Sequence, residues 1–368
     1  MLPPQRTPRM LLDVTQSYTH GVHSGIPRVV RKLGKAAVES GSGIPVILRG
    51  QDIVPYYRHR GFADELKISA GDILVLLDLV WHAADAYFPI MQAFKEQGGS
   101  LVVGVHDLIP LLYPGVSDGS SVRAFRRWLE GAVALADALV TISKTTAFDL
   151  RDYIVGQKLK HKPNLGIGWF NLGADFDSGS VPISKKMARL CSASPFVLTV
   201  GMIDPRKCHS VILDAFDRLW RDNVDVRYMI IGKYGWNSRA VRHRILSHTE
   251  FGRRLLWLDR VSDADLLHAY RRAAALVFAS FAEGFGLPVV EAAHCGAPVI
   301  ASDIPVFREI GGDAIFYFDL FDGDSLAQRI RDVLVGKKPA RPLATCTWHE
   351  SMESLQQLVR SKAYQLSV

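Results

Sequence analysis

Short apolar runs, each followed by a turn signal and a stretch of helical spacing, alternate through this sequence in two separate series. Strands that are apolar on both faces and separated by helices build a parallel, doubly wound sheet. The first series places strands at residues 10–14, 46–49, 73–77, 101–106 and 138–143, with helices at 26–40 and 144–154. The second places strands at 196–200, 227–232, 255–258, 275–279, 298–302 and 315–318. Helices are expected there at 209–222, 263–272 with Asp263 as cap, 288–295 and 325–334.

Between the two series, residues 177–194 are rich in Ser, Gly, Pro and Lys and lack apolar periodicity, so they read as a linker. The chain thus divides into an α/β domain over 1–176, a second over 195–346, and a terminal segment, 347–368. That segment reads as a helix over 348–365 with no strand after it, able to pack back on the first domain. A length of 368 residues suits two such cores. Ligands of these sheets sit at the carboxyl ends of the strands, so two halves imply a cleft and put the chemistry in the loops facing it.

A net charge of +7 favours anionic partners: nucleotide phosphates, lipid headgroups or nucleic acid. No nucleic-acid motif accompanies it. The four cysteines (Cys191, Cys208, Cys295, Cys346) form no C-x-x-C pair, which argues against zinc and a disulfide framework and suits a reducing cytoplasm. Residues 1–10 lack the apolar stretch of a signal peptide. Residues 73–81 are broken by Asp78 and too short to span a bilayer, so membrane contact is expected to be peripheral. The run Arg123, Arg126, Arg127, Trp128 is one basic aromatic surface that could meet anionic lipid; a solvated helix face is the plainer reading.

Four loops carry candidate chemistry. Glu283-Gly284-Phe285-Gly286-Leu287-Pro288-Val289-Val290-Glu291 follows a strand and opens a helix. Its glycines allow close backbone approach, its helix-terminal amides suit a phosphate or hydroxyl, and Glu283 and Glu291 can accept hydroxyl hydrogen bonds from one ligand. Gly201 through Lys207 follows another strand, and the adjacent Arg206 and Lys207 suit a diphosphate, although a solvated turn is the common fate of such a pair. His106 ends a strand of the first half, where it could hydrogen-bond a hydroxyl or move a proton, or be satisfied locally by Asp107. His20 through Arg28 forms the first strand-to-helix loop, with Gly25 near its end; no G-x-G-x-x-G occurs, so a dehydrogenase is not indicated. The D-x-D triplets at 175–177, 263–265 and 322–324 are expected by chance among 37 acidic residues, and none is taken as a metal site.

Taken together, Ser24–Arg28, His106–Pro110, Thr141–Ser143, Leu172–Ala174, Gly201–Lys207, Gly232–Trp236 and Glu283–Glu291 occur in an order that resembles the GT-B glycosyltransferases of family GT4. Within that family the chain is most similar to bacterial mannosyl- or rhamnosyltransferases of O-antigen and exopolysaccharide synthesis. The resemblance covers nearly the whole chain. It implies two Rossmann-like domains and a retaining, metal-independent transfer from a nucleotide sugar. GDP-mannose is the favoured donor and dTDP-rhamnose the alternative. The implied acceptor is a growing, lipid-linked oligosaccharide at the cytoplasmic face of the inner membrane. Other GT-B enzymes, such as an epimerase, share such a scaffold, and a binding module would leave the clustered loops unexplained.

The resemblance also implies roles. Glu283 and Glu291 would contact the donor sugar and the ribose. Arg206 and Lys207 would neutralise the diphosphate, and His106 would touch the sugar near the reacting carbon. Gly25 would lie near the phosphates, and Ser143 matches a family serine at the cleft. Gly201, Gly284, Phe285, Gly286 and Leu287 complete the donor set. One departure stands out: Cys208 occupies a position where the family often has Asn.

Overall fold

The computed structural model describes residues 8–19, 25–50, 52–56, 66–177 and 181–368. They fall into two compact units: residues 1–173 with 346–368, and residues 174–345.

The first unit is built on an eight-stranded sheet. Its strands are β1 (Met10–Asp13), β2 (Ile44–Arg49), β3 (Asp52–Pro55), β4 (Ile73–Leu76), β5 (Ser100–Val105), β6 (Ala138–Thr141), β7 (Gly166–Trp169) and β14 (Leu366–Ser367), in the order β14-β7-β6-β5-β4-β1-β2-β3. β1, β4 and β6 are buried at every position, as near-continuous apolar runs require when helices cover both faces. Leu74, Val103, Leu139 and Ile167 join Met91, Phe94 and Leu129 from the covering helices in one core. Each such side chain contributes roughly 1.5–3 kcal/mol when fully buried.

Two edges depart from the expected pattern. β3 pairs antiparallel with β2, and β14 pairs antiparallel with β7, so a strand does follow the final helix. That helix, Trp348–Ser361, starts from a capping box between Thr347 and Glu350 and ends at Lys362, which adopts φ 54°. β7 is disguised in the sequence because two of its four residues are glycines. They are needed: a Cβ on Gly166 would lie 2.4 Å from the Tyr364 ring, and one on Gly168 2.8 Å from Leu358.

The second unit has a six-stranded sheet, all parallel. Its strands are β8 (Phe196–Val200), β9 (Arg227–Ile231), β10 (Leu255–Leu258), β11 (Ala275–Phe278), β12 (Val299–Ser302) and β13 (Phe316–Phe318), in the order β10-β9-β8-β11-β12-β13. The stretch read as a linker contains a helix, Lys185–Ser192, capped by Ser184 and burying Met187 and Cys191. Two apolar residues four apart make a face too narrow to stand out as periodicity. The helix Asp263–Arg272 is capped by Ser262, whose hydroxyl accepts from the Asp265 amide, and not by Asp263.

Both sheets reverse their winding once. The reversal lies between β1 and β4 in the first unit and between β8 and β11 in the second. Loops leaving such a pair of strands diverge and leave a crevice at the carboxyl edge, where ligands of open α/β sheets bind. Among the described residues no helix is long and apolar enough to cross a membrane.

Candidate functional site

In the second unit the loops after β8 and β11 flank the winding reversal, and they are stitched together. The Phe281 amide donates to the Arg206 carbonyl at 3.1 Å. Gly201 leaves β8 at φ 134°, and a Cβ there would sit 2.8 Å from Lys207 Cε, so glycine makes room for the lysine stem. Asp204 then caps a single 3-10 turn, Pro205–Lys207, which presents two successive cations.

Both cations converge on Glu283. Arg206 Nη1 lies 2.5 Å from Glu283 Oε2, and Lys207 Nζ 2.8 Å from Oε1. Ser280 donates to Oε1 at 2.7 Å. Arg206 also donates to the Ala282 carbonyl at 2.9 Å and lies 3.7 Å from Asp204. Lys207 Nζ stands 4.3 Å from the centroid of the Phe278 ring. Burial alone would raise the Glu283 carboxyl; Arg206 and Lys207 outweigh it and hold it down to about 2. Burial pulls the Lys207 ammonium below its ordinary value, with Glu283 opposing. Two cations and two carboxylates therefore share one desolvated edge, and an incoming anion can take the cations over from Glu283.

The glycine loop continues from this cluster. Phe285 is buried, and Gly286 turns the chain at φ 109° into the helix Leu287–His294. A Cβ on Gly286 would meet the Phe307 ring at 2.8 Å. Glu291 is 4% exposed, and the Tyr270 hydroxyl donates to it at 2.9 Å. Cys208 adopts the left-handed conformation, φ 44° and ψ 42°. Asn enters that region far more readily than Cys, which gives the sequence departure at this position a physical meaning.

In the first unit His106 follows β5. It is buried, and its Nε2 lies 2.6 Å from the Leu77 carbonyl. A carbonyl only accepts, so Nε2 carries the hydrogen, and the buried Nδ1, which has no partner among the described residues, is an acceptor. Burial lowers the His106 pKa and keeps the ring neutral. Gly25 starts the helix Ile26–Ser40 at φ 64° and ψ −136°, a conformation that demands glycine. Residues 20–24 of the same loop, Ser24 included, lie outside the described residues. Ser143 is fully buried and caps the helix Lys144–Gly156 by accepting from the Thr146 amide at 3.1 Å. The basic aromatic surface is corrected: Trp128 is 3% exposed and packs on Phe125, leaving only Arg123, Arg126 and Arg127 outside. Helical spacing turns residue 128 onto the apolar face shared with 125.

Sequence reasoning passed over two buried acids at the winding reversal of the first sheet. Asp13 ends β1, where it accepts from the Thr15 amide at 3.0 Å and the Tyr87 hydroxyl at 3.0 Å. Asp78 follows β4 and accepts from the Ser17 amide at 2.7 Å and hydroxyl at 2.6 Å. Burial first, then Asp78, raise the Asp13 carboxyl to about 7, and hydroxyl donors offset only part of the rise. The available signal was an acid closing an apolar run, in Met10–Asp13 and again at residue 78.

Residues 184–344 match the family described as glycosyl transferases group 1. The chain is 31% identical over 377 residues to the serotype-specific mannosyltransferase WbdA of Escherichia coli, across 95% of this chain and 45% of that protein. It is 34% identical over 266 residues to O-antigen chain mannosyltransferase B of Escherichia coli, across 69% of this chain and 64% of that one. The chain thus spans about half the length of its WbdA relatives. Its backbone follows sucrose-phosphate synthase of Thermosynechococcus elongatus with a TM-score of 0.69, across 96% of this chain and 99% of that one at 18% identity, a likeness of fold. The chain thus has a GT-B fold and carries a group 1 glycosyl transferase domain at residues 184–344.

Proposed function

We propose that this protein transfers a mannosyl group from GDP-mannose to a growing glycan, with retention of configuration and without a metal ion. The observation that carries the reading is the convergence of Arg206 and Lys207 on Glu283 at the winding reversal. The names of the similar Escherichia coli mannosyltransferases support mannose as the sugar.

In this reading the diphosphate displaces Glu283 from the cations, and the freed carboxylate takes hydroxyl hydrogen bonds from the donor sugar. Cleavage of the bond between the anomeric carbon and the phosphate oxygen leaves negative charge on the diphosphate. Arg206 and Lys207 are already fixed where that charge develops, which is the largest common source of rate enhancement. The acceptor hydroxyl bonds to the anomeric carbon from the face the phosphate leaves, and its proton passes to the departing phosphate oxygen. The amides of Gly284 to Leu287 hold the donor. Glu291, held by Tyr270, is assigned to the ribose.

The acceptor is proposed to be lipid-linked, with Arg123, Arg126 and Arg127 meeting an anionic membrane at its cytoplasmic face. Unchanged liposome binding after removal of those charges would end that part of the proposal. The transfer itself is tested by acceptor-dependent nucleotide release from GDP-mannose, dTDP-rhamnose and UDP-sugars, with EDTA present. GDP release alone, and a product with the donor's anomeric configuration, are expected. Release of dTDP instead would make the enzyme a rhamnosyltransferase, and release without acceptor would remove the transferase reading.

A further inference from the structure

The second sheet orders its carboxyl-edge loops in a line. The loop after β9 lies beside the loop after β8, which lies beside the loop after β11. Neighbouring strands are about 4.8 Å apart. A nucleotide sugar is also linear: sugar, diphosphate, ribose, base. On the proposed function, on which this inference rests, Glu283 marks the sugar end and Arg206 with Lys207 the diphosphate. The nucleoside must then run toward β9.

The loop reached in that direction displays two aromatic rings. Tyr234 and Trp236 are each 46% exposed. The segment that carries them is pinned to the cation loop: the Ile203 amide donates to the Lys233 carbonyl at 2.9 Å, and the Gly235 amide to the Ile203 carbonyl at 2.9 Å. Gly235 has no room for a side chain, since its Cβ would fall 2.7 Å from the Ile203 carbonyl. Ser238 donates to the Gly235 carbonyl at 2.9 Å, and Trp257 to the Gly232 carbonyl at 2.8 Å. Arg242 stands 5.4 Å from the Tyr234 ring centroid. The loop backbone is thus pinned to the cation loop on one side and by the Ser238 and Trp257 side chains on the other, while its two aromatic rings stay about half exposed.

We propose that Tyr234 and Trp236 form the stacking platform for the donor's nucleobase. A flat heteroaromatic ring stacks on an aromatic side chain without needing matched hydrogen bonds. A larger purine covers more of two rings than a pyrimidine does, so this loop favours a guanine nucleotide through contact area.

The test titrates GDP and inorganic pyrophosphate into wild-type protein, Trp236→Ala and Tyr234→Ala by calorimetry. GDP binding is expected to weaken about ten-fold or more in Trp236→Ala, while pyrophosphate binding stays unchanged. Equal weakening of both ligands would mean a general disturbance of the cation loop and overturn the subsite. Unchanged GDP affinity with reduced acceptor-dependent turnover would assign the rings to the acceptor glycan and overturn it too. Wild-type protein that binds neither ligand would remove the transfer reading itself, a failure distinct from these two.

Discussion

The two sheets wind alike, yet their ligand edges hold charge in opposite ways. At the reversal of the second sheet a largely enclosed carboxylate, Glu283, sits between two cations and is held down to about 2. At the reversal of the first sheet a buried carboxylate, Asp13, is surrounded by hydroxyl donors and a second acid, and rises to about 7. His106, on the same sheet, is kept neutral as well. Topology therefore decides where a crevice forms, and the residues placed there decide what it can hold. The second edge gathers two cations around one carboxylate; the first favours the neutral forms of Asp13 and His106.

The widest separation between the two edges should come from removing their carboxylates. Glu283→Gln takes the shared carboxylate away from buried Lys207 and from Arg206, which keeps Asp204, and should cost about 3–5 kcal/mol in urea unfolding. Asp13→Asn removes a group that is neutral below about 7 and should cost far less in mildly acidic buffer. Equal costs would break the comparison.

The pH dependence of stability sharpens it, because the signs are opposite. Glu283 has a lowered folded value, so its stabilisation is present above its unfolded value of about 4.5 and lost as pH falls toward about 2. Asp13 has a raised folded value, so stability is greatest below about 3.8 and is lost as pH rises to about 7, by up to about 4 kcal/mol. Calorimetry from pH 3 to pH 8 should show a loss on the alkaline side that Asp13→Asn removes and Glu283→Gln does not.

Catalysis should follow charge rather than topology. Lys207→Ala is expected to lower turnover about 10²–10³-fold, as loss of one fixed charge-stabilising donor does elsewhere. Asp13→Asn should change turnover by much less, and a comparable fall would mean that the first edge shares the charge chemistry. The smallest effect is local. Cys208→Asn relieves a left-handed residue beside the cations and should stabilise the protein by about 0.5–1 kcal/mol with turnover retained.

Much of this architecture is legible in the sequence because buried parallel strands are continuous apolar runs. Phe196–Val200, Leu255–Leu258 and the helix Ile26–Ser40 have the bounds their patterns predict. Elements escape where a partner replaces the pattern. β7 has glycines because Tyr364 and Leu358 fill their space, and β14 has two residues, too few for any period. The cation cluster is legible as Arg206, Lys207 and Glu283, but their mutual contact is not, since it depends on β8 and β11 being neighbours. Asp13 and Asp78 escape because an acid inside an apolar run reads as the end of a strand, whereas both are buried anchors for the segment 15–19.

The most direct measurement is a crystal structure of the protein with GDP bound. The diphosphate should lie within hydrogen-bond distance of Arg206 and Lys207, with Glu283 released from at least one of them. A diphosphate resting against the Asp13 and Asp78 edge, with the Glu283 ion pairs intact, would contradict this account.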